Sequence, residues 1–325
     1  MAADLLDGMP VDAPKAPTKV LRYADIAVTA TAKDFAGIYR GKQYHEPDFD
    51  AVLDRAAATG VEKVLLTGMS LSDIDFNLSF VQSHPQQCRT TVGVHPYHAA
   101  EPDEDETYLD KLFGRVQDLV EEQPSPIVAY GELGLDYDHV EKASREVQLK
   151  TFKRQLDMIV AAQLDLPLFL HCRAAFEDFV DTIEPYLPNL PRRGVVHSFV
   201  GSTSQMQKLV NMGLDISVNG FSFRDRESLE MVREIPLVRL QIETDAPWGG
   251  IPATSEVAKR YLVNAKPLPQ SKKRDKFEMG MMVKDRNESC SIERVAFVVA
   301  GLKGLSVEEV AEAAWENSMR MFRLA

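Results

Sequence analysis

Between positions 127 and 197 the chain reads Ile127-Val-Ala-Tyr-Gly-Glu132, Leu166-Pro-Leu-Phe-Leu-His171 and Gly194-Val-Val-His197, three short apolar runs held apart by longer polar segments. The first gap carries Leu149, Phe152, Leu156, Ile159 and Val160, and the second Phe176, Phe179, Val180 and Ile183. Both are stripes of helical period, with apolar residues three and four apart on one face. Runs so brief and so uniformly apolar suit parallel strands covered on both faces, since a half-exposed strand would alternate with polar residues. The stretch therefore reads strand, helix, strand, helix, strand.

The pattern continues outward in both directions. Upstream lie β-type runs at Val20–Val28, Val61–Thr67 and Arg89–Val94, with helical stripes at Phe49, Val52, Leu53, Ala56 and at Leu109, Leu112, Phe113, Val116, Leu119, Val120. Downstream, Leu214–Val218 and Val238–Ile242 complete eight runs. Eight βα units in succession fit an α/β fold of the TIM-type (β/α)8 barrel. An open doubly wound sheet would carry a Gly-x-Gly-x-x-Gly turn after its first strand, and the glycine pair Gly131 and Gly134 is not one.

At 325 residues, 45% hydrophobic and 26% charged, the chain has the composition of an ordinary globular protein, and its length leaves one or two domains open. The barrel reading settles on a single domain over 19–325. Positions 1–18, with Pro10, Pro14 and Pro17 among acidic and small residues, read as a flexible N-terminal extension. After Trp248 periodicity fails over a long basic stretch from Lys259 to Arg286, and a stretch of that kind is usually functional or disordered. Two additional C-terminal helices follow, the last opened by a capping box from Ser306 to Glu309.

No apolar run approaches the roughly 18 residues of a membrane span, and no basic-then-apolar leader opens the chain. Cys88, Cys172 and Cys290 are scattered and form no Cys-x-x-Cys pair, which excludes a disulfide framework or a thiolate zinc site. The expected compartment is the cytoplasm, with the nucleus also open. A formal charge of -12 argues against coating nucleic acid by bulk electrostatics. Local charges near a site still decide whether nucleic acid is a substrate, because screening acts within about 8 Å at physiological salt.

The chemistry gathers at the strand ends. Glu132, His171, His197 and Asp245 each close an apolar run, on strands four, five, six and eight. In a parallel barrel the C-terminal strand ends meet on one rim, so residues far apart in sequence converge there. A lone strand-end His or Asp is more often a cap or a salt-bridge partner. Two imidazoles and two carboxylates together make a mixed nitrogen and oxygen site for a divalent cation such as Zn²⁺, Mn²⁺ or Mg²⁺. Without a cation, two neighbouring buried carboxylates would repel each other and resist ionisation.

The strings Gly93-Val-His-Pro96, Gly131-Glu-Leu-Gly-Leu-Asp136, Leu170-His-Cys-Arg173, Val196-His-Ser198 and Glu243-Thr-Asp-Ala-Pro-Trp248 occur in this order. With them the chain, from about Tyr23 to Phe322, resembles the TatD family of metal-dependent deoxyribonucleases within the amidohydrolase superfamily. The resemblance implies that Glu132, shared between two ions, and His171, His197 and Asp245 are the metal ligands. It implies one or two divalent cations per chain. One departure stands out: many members carry His-x-His on the first strand, where this chain has Ala27 and Thr29. A branch sharing the Phe35-Ala-Gly-Ile-Tyr-Arg-Gly41 string also lacks that pair, and the missing imidazoles bear on the second metal position.

Neighbouring residues are candidates for substrate contact. His95 can reach a scissile phosphate or simply bond a backbone carbonyl. Arg173 can clamp phosphate or form a loop salt bridge, and Trp248 can stack a base or pack in a lid. The cations from Lys259 to Arg286, including Lys272, Lys273 and Arg274, can guide a nucleic-acid backbone or be plain solvated charge. Cys172 alternates with His171 and should point away from the rim.

The expected function is hydrolysis of DNA phosphodiester bonds, with Asp245 as proton acceptor and Glu132 in the catalytic set. A rim of strand ends suits exonuclease action on single-stranded ends, and 3'-5' is the polarity expected. DNA is the expected substrate, with no membrane and no obligate protein partner. Two rivals remain: another amidohydrolase-type metallohydrolase acting on a small ester or amide, and a non-catalytic binding protein on the same fold.

Overall fold

The computed structural model describes residues 5–324. Eight parallel strands run β1 (Tyr23–Val28), β2 (Val61–Leu66), β3 (Cys88–Val92), β4 (Ile127–Asp136), β5 (Leu168–Arg173), β6 (Gly194–Val196), β7 (Asp215–Val218) and β8 (Leu240–Ile242), each bonded to its sequence neighbour. The helices that follow them in turn are α1 (Phe49–Ala58), α2 (Asp73–Ser83), α3 (Tyr108–Glu121), α4 (Arg145–Ala161), α5 (Phe176–Ile183), α6 (Thr203–Asn211), α7 (Arg226–Glu234) and α8 (Glu256–Tyr261). The fold is a TIM-type barrel. Its helices turn their apolar stripes onto the sheet, as Val52, Leu53 and Ala56 of α1 do, and burying such a stripe is what holds a barrel helix in place.

Closure falls between β1 and β8. The Thr29 N–H donates to the Ala246 carbonyl at 2.9 Å, beside a parallel bridge between Val28 and Ala246. Asp25, fully buried, accepts from the Thr244 N–H at 2.9 Å and from the Thr244 hydroxyl at 2.6 Å. Burial pushes the Asp25 carboxyl up to about 6, against the pull of those hydrogen bonds.

The C-terminal helices close the lower end. α9 (Ile292–Lys303) stops at Gly304, which takes the left-handed backbone (φ 66°) that glycine adopts without a Cβ clash. α10 (Val307–Phe322) opens with the expected capping box, in which the Ser306 hydroxyl accepts from the Glu309 N–H and the Glu309 carboxylate accepts from the Ser306 N–H. Trp315, Phe322 and Leu324 then pack against Ala24, Ile26, Leu65, Phe169 and Val195 of the strands. The barrel axis is filled from below, which leaves its upper end for polar residues.

Three sequence expectations need correction. β4 does not end at Glu132 but continues to Asp136, because Gly131 and Gly134, both at positive φ, approach the β5 backbone more closely than any Cβ allows. Residues 5–18 are not a loose extension: Leu6 and Met9 are buried, the Tyr261 hydroxyl donates to the Pro10 carbonyl at 2.7 Å, and Asn264 donates to that of Pro14 at 2.9 Å. Two apolar anchors outweigh what proline and acidic composition suggest. The basic stretch also contains order, namely a short parallel pairing of Ser271–Lys272 with Met282–Val283.

Its last residue is not solvated charge. Arg286 is buried and donates to both carboxylate oxygens of Asp48 at 2.6 Å and to Glu288 at 2.8 Å, while Arg55 of α1 donates to Glu288 at 2.7 Å and to Asp48 at 3.4 Å. Two arginines and two carboxylates thus form a neutral buried cluster that pins this segment to α1. No helix among the described residues is long and apolar enough to cross a membrane.

Candidate metal centre

Glu132, His171 and His197 come together as their strand positions require. One oxygen of the Glu132 carboxylate, Oε1, lies 2.7 Å from Nδ1 of His171 and 2.5 Å from Nε2 of His197, and those two nitrogens are 3.3 Å apart. Both imidazoles therefore face one point beside one carboxylate oxygen.

The far side of each ring is held by a second carboxylate. Nε2 of His171 is 3.1 Å from Asp136 Oδ2, and Nδ1 of His197 is 3.4 Å from Glu243 Oε1, the latter too poorly aligned to count as a hydrogen bond. Glu243 is itself fixed, accepting from Ser217 at 2.6 Å and Asn219 at 2.9 Å. Phe169 stacks on the His197 ring with centroids 4.8 Å apart. A carboxylate behind an imidazole orients the ring and raises the basicity of its inner nitrogen, as is common around metal-ligating histidines. Sequence reasoning missed Asp136 and Glu243 in this role. Their signal was present, since Glu132, Gly134 and Asp136 alternate onto one face of β4, and Glu243 lies two residues before Asp245.

Asp245 follows β8 by three residues and has left-handed backbone, φ 54°, which aspartate tolerates better than most residues. Its carboxyl is close enough to His197, His171, Glu132 and Glu243 to feel their charges. Burial pushes its carboxyl up to about 8, with repulsion from Glu243 and Glu132 adding to the rise and His197 and His171 opposing it. Glu132 goes the other way: burial raises its pKa, but His197, His95 and the hydrogen bonds from His171 and His197 outweigh this and hold it well below the usual carboxylate range. His197 is correspondingly raised well above the usual imidazole value by Glu132 and Glu243, despite burial. Such crowding of two inward-facing imidazole nitrogens on one carboxylate oxygen, with a second buried carboxyl beside them, is what a divalent cation would relieve, and these residues fit one.

His95 also lies here, with one donor atom from each of His95, Glu132 and His171 within 4.8 Å of one another. Its chemistry differs. Nδ1 of His95 accepts from the Tyr97 N–H at 3.0 Å, which places the ring proton on Nε2, 3.3 Å from Glu132 Oε1. A nitrogen that carries a proton cannot ligate, so His95 presents a hydrogen-bond donor rather than a metal lone pair. Burial lowers its pKa to about 4, so the ring is neutral near pH 7.

Arg173 donates to Asp138 Oδ2 at 3.2 Å and lies 5.5 Å over the Phe221 ring. Trp248, 46% exposed, stands three residues beyond Asp245 at the same mouth. Ala27 and Thr29 bring no replacement ligands, because Ala27 packs in the barrel floor and the Thr29 hydroxyl is paired with Thr67 at 3.0 Å. Cys172 is buried in the apolar core, as its alternation with His171 predicts.

A parallel barrel with paired imidazoles and carboxylates at the C-terminal ends of its strands defines the amidohydrolase type of hydrolase. The sequence pattern of the family described as "TatD related DNase" matches residues 25–323, and the chain belongs to that family. It is 42% identical over 308 residues to the "Deoxyribonuclease Tat-D" of Schizosaccharomyces pombe, covering 93% of this chain and 96% of that one. It is 33% identical to the "3'-5' ssDNA/RNA exonuclease TatD" of Erwinia tasmaniensis, covering 92% of this chain and 99% of that one. Among solved structures, a hydrolase TatD family protein from Entamoeba histolytica superposes with a TM-score of 0.85 at 31% identity, over 95% of this chain and all of the other.

Proposed function

We propose that this chain is a metal-dependent deoxyribonuclease that hydrolyses DNA phosphodiester bonds as a 3'-5' exonuclease on single-stranded ends. The observation that carries the reading is the meeting of His171 and His197 at one oxygen of Glu132, with Asp245 beside them. Family membership and the printed activities of the relatives support it.

We assign the resident divalent cation to Glu132, His171, His197 and Asp245. When bound, it supplies an acidified water and neutralises charge on the phosphoryl oxygens. Asp245 takes the proton of the attacking water; burial and the neighbouring carboxylates favour its protonated form, and the cation's charge would hold it ionised and ready to accept. The Nε2–H of His95 donates to a non-bridging phosphate oxygen. Arg173, paired with Asp138 and lying over the Phe221 ring, meets the strand backbone, and Trp248 offers its exposed face to a base. Asp136 and Glu243 hold the imidazoles in the ligating orientation.

The test is a nuclease assay on chelated protein reloaded with Mg²⁺, Mn²⁺ or Zn²⁺, using single- and double-stranded DNA labelled at either end. Stepwise shortening from the 3' end of the single strand is expected. Metal-loaded protein that leaves DNA intact would refute the reading, in favour of a small-ester hydrolase if such an ester is turned over and of a binding protein if none is.

The orienting carboxylates give a separate expectation. Asp136→Asn and Glu243→Gln should each weaken metal affinity about 10- to 100-fold while leaving the fold intact. Calorimetric titration of chelated protein measures this, and unchanged affinity in both variants would remove the two carboxylates from the site.

A further inference from the structure

Beyond Asp245 the rim opens into a groove of about 680 Å³ between the Pro247–Ala253 loop, the loop after β7, and the segment leading into α9. Phe221, Arg224, Trp248, Lys284 and Arg294 line it. Arg224, Lys284 and Arg294 form no ion pair through their side chains with any described residue, and Asp285 is the one carboxylate in the lining. In a chain of net charge -12 three unpaired cations on one concave surface are unusual. Arg294 is also partly buried on the first turn of α9, where an uncompensated charge costs stability unless an anion visits.

The groove is rigidly joined to the metal centre. Asn287 donates to the carbonyls of Thr244 at 2.9 Å and Trp248 at 2.6 Å, and Ser291 holds the Asn287 side chain at 2.6 Å. The same short segment thus fixes the loop bearing Asp245 and leads within one helical turn to Arg294. At the other end Phe221 carries Arg224 at 4.2 Å and Arg173 at 5.5 Å over its ring, and Arg173 is two residues past His171.

We infer that this groove is a subsite for the single-stranded DNA segment next to the scissile phosphate, with Arg294 binding a backbone phosphate and Trp248 stacking the adjacent base. The inference rests on the nuclease reading and adds to it the residues that hold the strand. An exposed aromatic flanked by unpaired cations is the combination by which sequence-tolerant single-strand binders work. Arg294 acts on the strand and not on the reacting atoms, so its removal should separate binding from chemistry.

The experiment compares Arg294→Gln, Trp248→Ala and Lys153→Gln with the parent, using a short oligothymidylate. Lys153 lies exposed on α4 and carries the same charge change away from the groove. Arg294→Gln should raise KM about tenfold, the loss of one charge-assisted phosphate contact, with kcat changed far less. It should also weaken binding to chelated protein, measured by fluorescence anisotropy, and reduce the slope of log affinity against log salt by about 0.7. Arg294→Lys should restore most of that slope. Trp248→Ala should weaken binding without altering the slope, and Lys153→Gln should change neither. The thermal midpoint of Arg294→Gln should not fall, since the variant removes an unpaired charge. If the parent cleaves DNA and Arg294→Gln matches it in KM, binding and salt slope, the subsite is wrong and the nuclease reading stands. If the parent cleaves no DNA with any metal, the nuclease reading fails, and the anisotropy arm still decides whether the groove binds a strand through Arg294.

Discussion

Asp245→Asn is expected to lose about 10²- to 10⁴-fold in kcat on single-stranded DNA, the usual worth of general-base assistance, while the protein stays folded and keeps part of its metal affinity. The substitution isolates the proton acceptor. An amide oxygen can still coordinate but cannot take a proton, and asparagine tolerates the left-handed backbone (φ 54°) at this position as readily as aspartate. Alanine would be a poorer test, because it would remove a ligand and strain the backbone together. The measurement is single-turnover cleavage of labelled DNA at saturating metal, alongside a thermal melt. Turnover within a few-fold of the parent would remove Asp245 from the base role and shift attention to another proton acceptor at the rim.

Much of this was legible in the sequence, for a physical reason. Buried parallel strands must be apolar on both faces, so each barrel strand announces itself as a short apolar run, and a polar residue that ends such a run is conspicuous. Glu132, His171, His197 and Asp245 stand out in that way. What remained hidden depends on contacts between distant segments. Asp136 behind His171 requires β4 to run past Glu132, which the close backbone approach at Gly131 and Gly134 permits but composition does not announce. Arg286 looks like any other cation in a basic stretch, yet its partner Asp48 is 238 positions away. The anchoring of residues 5–18 likewise rests on two apolar side chains within an otherwise polar segment.

That distant pair carries the second large expectation. Asp48→Ala should destabilise the protein by about 3–5 kcal/mol, because it leaves Arg286 and Arg55 sharing only Glu288 in a buried setting. At roughly 2–4 °C per kcal/mol for a chain of this general size, the thermal midpoint should fall by about 10 °C. The double variant Asp48→Ala with Arg286→Met should cost less than the sum of its parts, since Arg55 and Glu288 remain as a balanced pair at 2.7 Å. Differential scanning calorimetry of the two single variants and the double variant measures the coupling. Additive losses would mean that the four groups do not act as one cluster. Since Asn287 follows Arg286 directly and holds the loop of Asp245, loosening the cluster should also lower activity before global unfolding begins.

The seam between β1 and β8 bears on how the molecule is made. Glu132, His171 and His197 belong to consecutive strands in the middle of the chain, whereas Asp245 takes its place only when β8 meets β1 through Thr244 and Asp25, 219 positions apart. Bringing together such distant positions carries a loop-closure entropy that neighbouring strands do not face. On the ribosome, where the N-terminal part of a chain emerges first, the two imidazoles and Glu132 are synthesised well before Asp245. On the proposed assignment, a partly synthesised chain lacks its proton acceptor, and cleavage begins only with the finished barrel.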